Sequence, residues 1–429
     1  MPVMVPSLHI SQTVDHLFRH ESGKMVAVLS RLLGLQHLEV AQDLVQDSLV
    51  QAMTTWPYSG MPDNPAGWLH RVARNKAIDY LRREKRLAHV LPQYARLLQS
   101  EYTLASTLNH LFLESEIRDG VLRLLFACCH PALKQDDQVA LTLKIVSGFS
   151  MQEIARSLLT NEAAIQKRLH RAREFLKTNG IKLEMPAGHE LKRRLSAVHT
   201  VLYLLFNEGY NSITADELIR RDLCAEAMRC GKLLTEHKVV QQPSSFALLS
   251  LMCFHAARFD SRIDEEDNII LLPRQDRDRW DKELIAVGIA YLNKSSEGDE
   301  LSIYHIESAI AAEHCLARSF EATNWPRLLK LYDFLYEANP TPVVQLNRAV
   351  VLAETGAVES AIQAIMAIPG IEKRIRSDYI FSAVLGDLYK RLSDIVKARE
   401  YLEHAHDLTL SHLEKRLMRK KIDEMGLKK

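Results

Sequence analysis

Apolar residues recur every three or four positions along most of the chain, and strand-like alternation bounded by hairpin turns is absent from the sequence. That pattern predicts an all-α protein. Residues 12–86 carry helical periodicity, interrupted by PYSGMPDNPAG (57–67) with its three prolines and two glycines. Residues 87–115 are weakly patterned and read as a linker. Helical spacing resumes over 116–180, NGIKLEMPAGHE (179–190) marks a boundary, and apolar-periodic helices fill 187–429.

The last zone holds a weak internal repeat near 342–408. In one unit Ala349, Leu352, Gly356, Ala361 and Ile365 fall at offsets typical of a tetratricopeptide repeat; in the next, Gly386, Tyr389, Ala398, Leu402 and Ala405 do the same. Ala361 and Ala398 are 37 residues apart, slightly more than the usual repeat of roughly 34. Small residues belong there because paired antiparallel helices approach closely at those points. An ordinary helical bundle with accidental spacing remains the alternative.

Within 116–180, SMQEIARSLLTNEAAIQKRLHRAREF (150–175) contains two short helical patterns. Ser150 and Glu153 form a capping box, Ile154, Ala155 and Leu158 give the first helix an apolar face, and Thr160 or Asn161 can cap the second. There Ile165, Leu169, Ala172 and Leu176 make the apolar stripe. Ala163, Lys167, His170 and Glu174 lie opposite, with Ala164 and Arg171 on one flank and Gln166 on the other. This is a helix-turn-helix pattern. Ala163 and Ala164 would admit the helix closely to a major groove, Lys167, Arg168 and Arg171 would reach phosphates or guanine edges, and Gln166 a base. Taken alone, the motif does not choose between reading DNA and forming a solvated charged face.

Charge placement changes the picture. The net charge of 429 residues is only +1, but residues 1–185 hold 22 basic and 18 acidic side chains, and the excess is concentrated. RVARNKAIDYLRREKR (71–86) has seven basic and two acidic residues, and EAAIQKRLHRAREFLK (162–177) has five and two. Local patches of this kind make an electrostatic footprint. Over GWLHRVARNKAIDYLRREKR (67–86), Trp68 and Tyr80 are interleaved with these cations, a combination suited to single-stranded or melted DNA. Upstream, EVAQDLVQDSLVQAMTTW (39–56) places Ala41, Leu44, Val45, Ser48, Leu49, Ala52 and Trp56 on one side. Asp43, Gln46, Asp47 and Val50 face the other way, as a docking surface for a partner helix would.

AQDLVQDSLVQAMTTW, NPAGWLHRVARNKAIDYLRREKR and FSMQEIARSLLTNEAAIQKRLHRARE, in that order and spacing, resemble extracytoplasmic-function (group 4) sigma factors of bacterial RNA polymerase. The first two blocks are similar to region 2 and the third to region 4, across residues 12–180. FNEGY (206–210), LLPRQDRDRWD (271–281) and the tetratricopeptide-like end resemble the subgroup with a large C-terminal extension. The resemblance implies a non-enzymatic initiation factor binding core polymerase through the β′ clamp helices and β flap, and a promoter through a −35 duplex and a melted −10 strand. Asp43, Gln46, Asp47 and Val50 would meet polymerase. Asp63, Asn64, Trp68, Arg71, Arg74, Asn75 and Lys76 would capture the −10 element, with Arg82, Arg83 and Arg86 on nearby phosphates. Asn161, Ala163, Ala164, Gln166, Lys167, Arg168 and Arg171 would read the −35 element. The turn Leu-Leu-Thr-Asn-Glu-Ala-Ala (158–164) departs from the family pattern: it lacks the usual glycine, and Ala164 stands where a threonine hydroxyl would make a contact. The C-terminal module is expected to regulate these activities by covering the binding faces or adding polymerase contacts.

Other constellations carry less. The six cysteines read as reduced, mostly buried thiols of a cytoplasmic protein; Cys128-Cys129-His130 and Cys224/Cys230 lack structural-zinc spacing. The N-terminus MPVMVPSLHI has no signal-peptide pattern, and no apolar run is long enough to span a bilayer. Phosphate-binding glycine loops and a catalytic set are missing from the sequence, so no cofactor or metal is expected. Arg274, Asp276, Arg277, Asp278 and Arg279 before Trp280 are expected to form an ion-pair clasp or an interdomain contact, and Gly209 to end a helix. The competing functions are a helix-turn-helix activator with a repeat-type sensor domain, and a helical adaptor without a DNA role. The acidic docking face and the aromatic-basic segment distinguish the sigma reading from both.

Overall fold

The computed structural model describes residues 7–87, 111–158, 160–211, 218–266 and 268–426. Leu159 and most of the expected linker, 88–110, lie outside them. Among the described residues the chain is helical, with one isolated bridge between Ile263 and Ile269. It divides into two compact units, Met1–Leu204 and Leu205–Lys429. The division falls inside a helix, later than the turn-rich 179–190 boundary.

The first unit opens with α1 (Ser7–Leu33), α2 (Leu38–Ser59) and α3 (Pro65–Leu87). Ala41, Val45, Ser48, Leu49, Ala52 and Trp56 bury one face of α2. Gly60, at φ 79, ends it with its N–H on the Trp56 carbonyl, 3.0 Å. The Pro-rich stretch therefore leaves only residues 60–64 as a connection. Pro65 starts α3 where a missing N–H costs nothing, and Asn64 caps it. Leu69, Ala73, Ala77 and Leu81, all buried, face inward at every fourth position, and the two small alanines let α3 lie close on α2.

α4 (Glu114–Cys128), α5 (Gln135–Ile145), α6 (Met151–Ser157) and α7 (Glu162–Thr178) follow, then α8 (Gly188–Tyr210). α4 packs on α1, and α7 packs on α5 and α6. At one point this packing tolerates no side chain: a Cβ on Gly23 of α1 would lie 2.0 Å from the Val146 carbonyl oxygen beyond α5. Cys128 and Cys129 are core thiols, and burial pushes Cys129 up to about 12.

The second unit runs through α9 (Arg221–Glu236), α10 (Pro243–Ala256), α11 (Lys282–Ser295), α12 (Ile303–Leu316) and α13 (Trp325–Ala338). α14 (Pro342–Glu354), α15 (Val358–Met366), α16 (Ile371–Ser377), α17 (Tyr379–Arg391), α18 (Ile395–Leu408) and α19 (His412–Gly426) complete it. Helices pack mainly on their neighbours in sequence, the arrangement of a repeat protein. Of the ten repeat positions, Ala349, Ala361, Ile365, Ala398, Leu402 and Ala405 are fully buried, whereas Leu352 and Tyr389 are partly buried and Gly356 is exposed. A Cβ on Gly386 would meet Leu402 Cγ at 2.7 Å.

Two expectations change. Gly209 does not end a helix, because α8 continues to Tyr210. Its missing Cβ instead admits the start of α9, where Cys224 Sγ would lie 2.7 Å from that Cβ. The Arg/Asp segment does not clasp itself: among the described residues none of its arginines pairs with its own aspartates. Asp276 and Asp281 cap helical turns, and Arg274 reaches Glu424 at 3.3 Å. Trp280, only 2% exposed, lies under the guanidinium groups of Arg258 and Arg277, at 5.3 and 4.6 Å from the ring centre.

Candidate nucleic-acid interface

Three surfaces of the first unit carry the expected site residues. On α2, Asp43, Gln46, Asp47 and Val50 are all exposed, Val50 at 52%, opposite the buried stripe. Met53 and Tyr58 extend this exposed face, Tyr58 at 89% exposure, and Met61 is exposed in the connection that follows. The spacing of Met53 and Tyr58 from Val50 is helical, a signal the sequence carries. Glu39 and Gln42, one turn earlier, are engaged by Arg173 of α7, at 3.4 and 2.8 Å. Burial lowers the Arg173 pKa, countered by the carboxylates of Glu39 and Asp43.

On α3, Arg71, Asn75, Arg82 and Arg83 are exposed. Arg71, Asn75 and Arg82 share one helical face. Arg82 lies 3.6 Å from Asp79, and Arg74 donates to Asn75 Oδ1 at 3.3 Å. Lys76 lies 3.9 Å from Asp47, so the acidic face of α2 and the basic segment of α3 adjoin. Arg86 belongs to α3, but its side chain lies outside the described residues. Asp63 is exposed. Asn64 spends its Oδ1 on the Gly67 N–H, 2.8 Å, as a helix cap. Trp68 is half-buried and meets the buried Trp56 edge-on, ring centres 5.4 Å apart. Part of its ring is thereby engaged by the core.

In the helix-turn-helix, Ser150 and Glu153 exchange both bonds of the capping box, at 3.1 and 2.8 Å. Asn161, not Thr160, caps α7, accepting from the Ala164 N–H at 2.9 Å. Ile165, Leu169, Ala172 and Leu176 are at most 1% exposed and seat α7 on α5 and α6. Ala163, Gln166, Lys167 and His170 are exposed, and Ala164 is half-buried. The arginines are tied differently. Arg168 pairs with Asp136 at 3.1 Å, and Arg171 closes a fork on Asp137, with Nε at 2.9 Å. Asp136 and Asp137 occupy the first turn of α5, where the helix dipole favours carboxylates. The free polar face is therefore Gln166, Lys167 and His170, flanked by two arginines already paired.

The two halves of this unit are joined. Besides Arg173, Arg31 of α1 binds the Glu116 carboxylate at 2.8 Å and its carbonyl at 3.2 Å. Nothing in the sequence spacing signals these bonds. Among the described residues no group of three or more His, Cys, Asp or Glu could hold a metal ion, and no helix is long and apolar enough to cross a membrane.

Comparison with known proteins finds three family matches along the chain. Residues 17–87 match the family Sigma-70 region 2, and residues 123–176 match Sigma-70, region 4. Residues 194–296 match a family of unknown function, DUF6596. An uncharacterized protein of Rhizobium meliloti (strain 1021) is 34% identical over 407 residues, 94% of each chain. SigE of Mycolicibacterium smegmatis, an ECF RNA polymerase sigma factor, is 26% identical over 164 residues, covering 38% of this chain and 60% of its own. The RNA polymerase sigma factor YlaC of Bacillus subtilis is 27% identical over 169 residues, 39% of this chain and 91% of its own. No solved structure matches.

Proposed function

The chain belongs to the extracytoplasmic-function sigma factors with a large helical C-terminal extension, and from that premise we propose how its surfaces divide the work of initiation. It binds core RNA polymerase and promoter DNA and makes no covalent bond itself. Asp43, Gln46, Asp47 and Val50 dock on the β′ clamp helices, and the helix-turn-helix adds the β flap. Arg71, Asn75 and Arg82, with Asp63, Asn64, Trp68, Arg74, Lys76, Arg83 and Arg86, hold the melted −10 strand. Ala163, Ala164, Gln166 and Lys167 enter the −35 major groove, with Asn161, Arg168 and Arg171 at its border.

The observation that carries this reading is the junction of Asp47 and Lys76, 3.9 Å apart. It sets a surface fit for a basic protein partner beside one fit for phosphates, so strand capture happens next to polymerase. The reading also carries a geometric requirement. Elements centred near −35 and −10 lie roughly 25 base pairs apart, on the order of 85 Å at the rise of duplex DNA. Arg173 of α7 and Gln42 of α2 are in hydrogen-bond contact. The α4–α7 half must therefore leave α1 and α2 when both elements are bound.

The second unit regulates this step, in keeping with its repeat architecture, which suits partner binding. Run-off transcription with sigma-free core polymerase tests both parts. Initiation on promoters from the protein's own genome is expected, and none on any of them sinks the sigma reading. A chain ending after Tyr210 is assayed beside it; an unchanged yield rejects regulation by the second unit.

A further inference from the structure

Three elements of the second unit converge with an excess of hydrogen-bond donors. The end of α10 supplies His255 and Arg258, the end of α12 supplies His314, and the connection between α10 and α11 supplies Arg277 and Trp280. Among the described residues the Arg258 guanidinium donates only to the Gln275 amide oxygen, at 3.3 and 3.1 Å. Arg277 donates to the carbonyls of His314 and Ala317, the latter at 2.7 Å. Every acceptor is neutral. Among the described residues neither guanidinium forms an ion pair with a carboxylate; Glu321 acts on Arg277 only through space. Two cations in a partly buried setting without a counter-charge are costly unless something else supplies one.

Unpartnered polar atoms concentrate in the same place. Of eleven buried side-chain polar atoms without a partner among the described residues, four belong here: His255 Nδ1, Arg277 Nη2, Trp280 Nε1 and His314 Nδ1. All four are nitrogens, and the imidazole ones donate in one tautomer. Native structures leave few such atoms, and a cluster of them marks an absent partner. Burial and the neighbouring arginines hold both imidazoles neutral, His255 down to about 3 and His314 to about 4. What is missing is thus an acceptor bearing negative charge. A water molecule would satisfy the nitrogens and leave the two guanidinium charges as they are.

We propose that Arg258, Arg277, Trp280, His255 and His314 form a binding site for a small oxyanion, the carboxylate or phosphate group of a small molecule. Trp280, 2% exposed, is the floor; the other four residues are partly exposed, while the unpartnered nitrogens themselves are buried. The ring of Tyr210, 4.7 Å from that of His255, adds an apolar wall. Such a site, a few convergent polar groups within an aromatic frame, fits small ligands generally. The inference stands whether or not the second unit regulates transcription.

The test is thermal unfolding of the full chain titrated with inorganic phosphate and, separately, with acetate, against sodium chloride at matched ionic strength. A saturable rise in Tm with one of the two anions, absent with chloride, is expected, and the anion that acts identifies the ligand class. Arg258→Gln weakens the apparent affinity about tenfold or more, the loss of a charge-assisted bond. Trp280→Phe keeps the ring but removes the N–H, and it also weakens the response. No saturable rise with either anion overturns the proposal, as does a rise of equal affinity in wild type and Trp280→Phe.

Discussion

Arg171 and Asp137, 34 residues apart, are held together by two hydrogen bonds, so the second helix of the helix-turn-helix is locked to α5, the helix that precedes the motif, through a carboxylate that is only 2% exposed. Lys167, one turn earlier on the same helix, has no such partner among the described residues. The two cations therefore fail differently. Arg171→Ala strands a buried carboxylate and is expected to cost about 1–3 kcal/mol of stability, read by denaturant unfolding. Lys167→Ala leaves stability within about 0.5 kcal/mol. It lowers the slope of log K against log salt for promoter DNA by about one, the signature of one lost phosphate contact. Equal stability of the two variants rejects the structural role of Arg171.

Gly23 carries a second prediction, about the seam between the two halves of the first unit. In an isolated helix Gly→Ala stabilises by about 1 kcal/mol. Here the new Cβ would lie 2.0 Å from the Val146 carbonyl oxygen, which is backbone and does not yield. Gly23→Ala is therefore expected to destabilise the closed packing and to lengthen the distance between labels on α2 and α7. If the label distance is unchanged, the seam does not form in solution. In wild type the same distance should lengthen when core polymerase and promoter are added.

What was legible in the sequence follows from the range of the interactions. Ser150 and Glu153 announce their capping box because both partners lie within one turn, and Ile165, Leu169, Ala172 and Leu176 announce a buried stripe because helical period alone sets it. Arg171 and Arg173 were less legible, since a basic residue on an amphipathic helix looks the same facing DNA or facing Asp137, Glu39 and Gln42. Asn64 and Asn161 show a competition of another kind. Both are expected at DNA, and each also uses its side-chain oxygen as a helix cap, a role the sequence offers for Asn161 beside Thr160 and does not signal for Asn64. Gly209 looked like a helix terminator because glycine so often is one; the demand it meets comes from α9, in another part of the chain.

Acid sensitivity follows from buried imidazoles. His199 and His255 are pushed down to about 3 and His314 to about 4, chiefly by burial, against about 6.5 when unfolded. Between those values the unfolded chain binds more protons, so stability is present above pH ~6.5 and is lost as pH falls toward ~4. Glu208 has the opposite sign. Burial raises it to about 7, so its contribution declines as pH rises from ~4.5 to ~7. Urea unfolding across pH 5–8 should show net loss on acidification. His314→Asn should flatten that slope, and Glu208→Gln should stabilise at pH 8 more than at pH 5. A pH-independent effect of either substitution contradicts the burial of that group.

Ser393 and Gly356 occupy the same turn in successive repeats, 37 residues apart, and both have positive φ, 62 and 96°. At Ser393 the turn is closed by its N–H on the Lys390 carbonyl, 3.1 Å, and by the Asp394 N–H on the Tyr389 carbonyl, 3.0 Å. This is the double-bonded helix ending that glycine usually serves. A left-handed serine costs about 1–2 kcal/mol, partly offset by the larger entropy glycine loses on folding. Ser393→Gly is therefore expected to stabilise the protein by about 0.5–1 kcal/mol, and Gly356→Ser to destabilise it. Thermal unfolding of the two variants checks the equivalence directly. Shifts of the same sign at the two positions would show that the repeats do not share this turn.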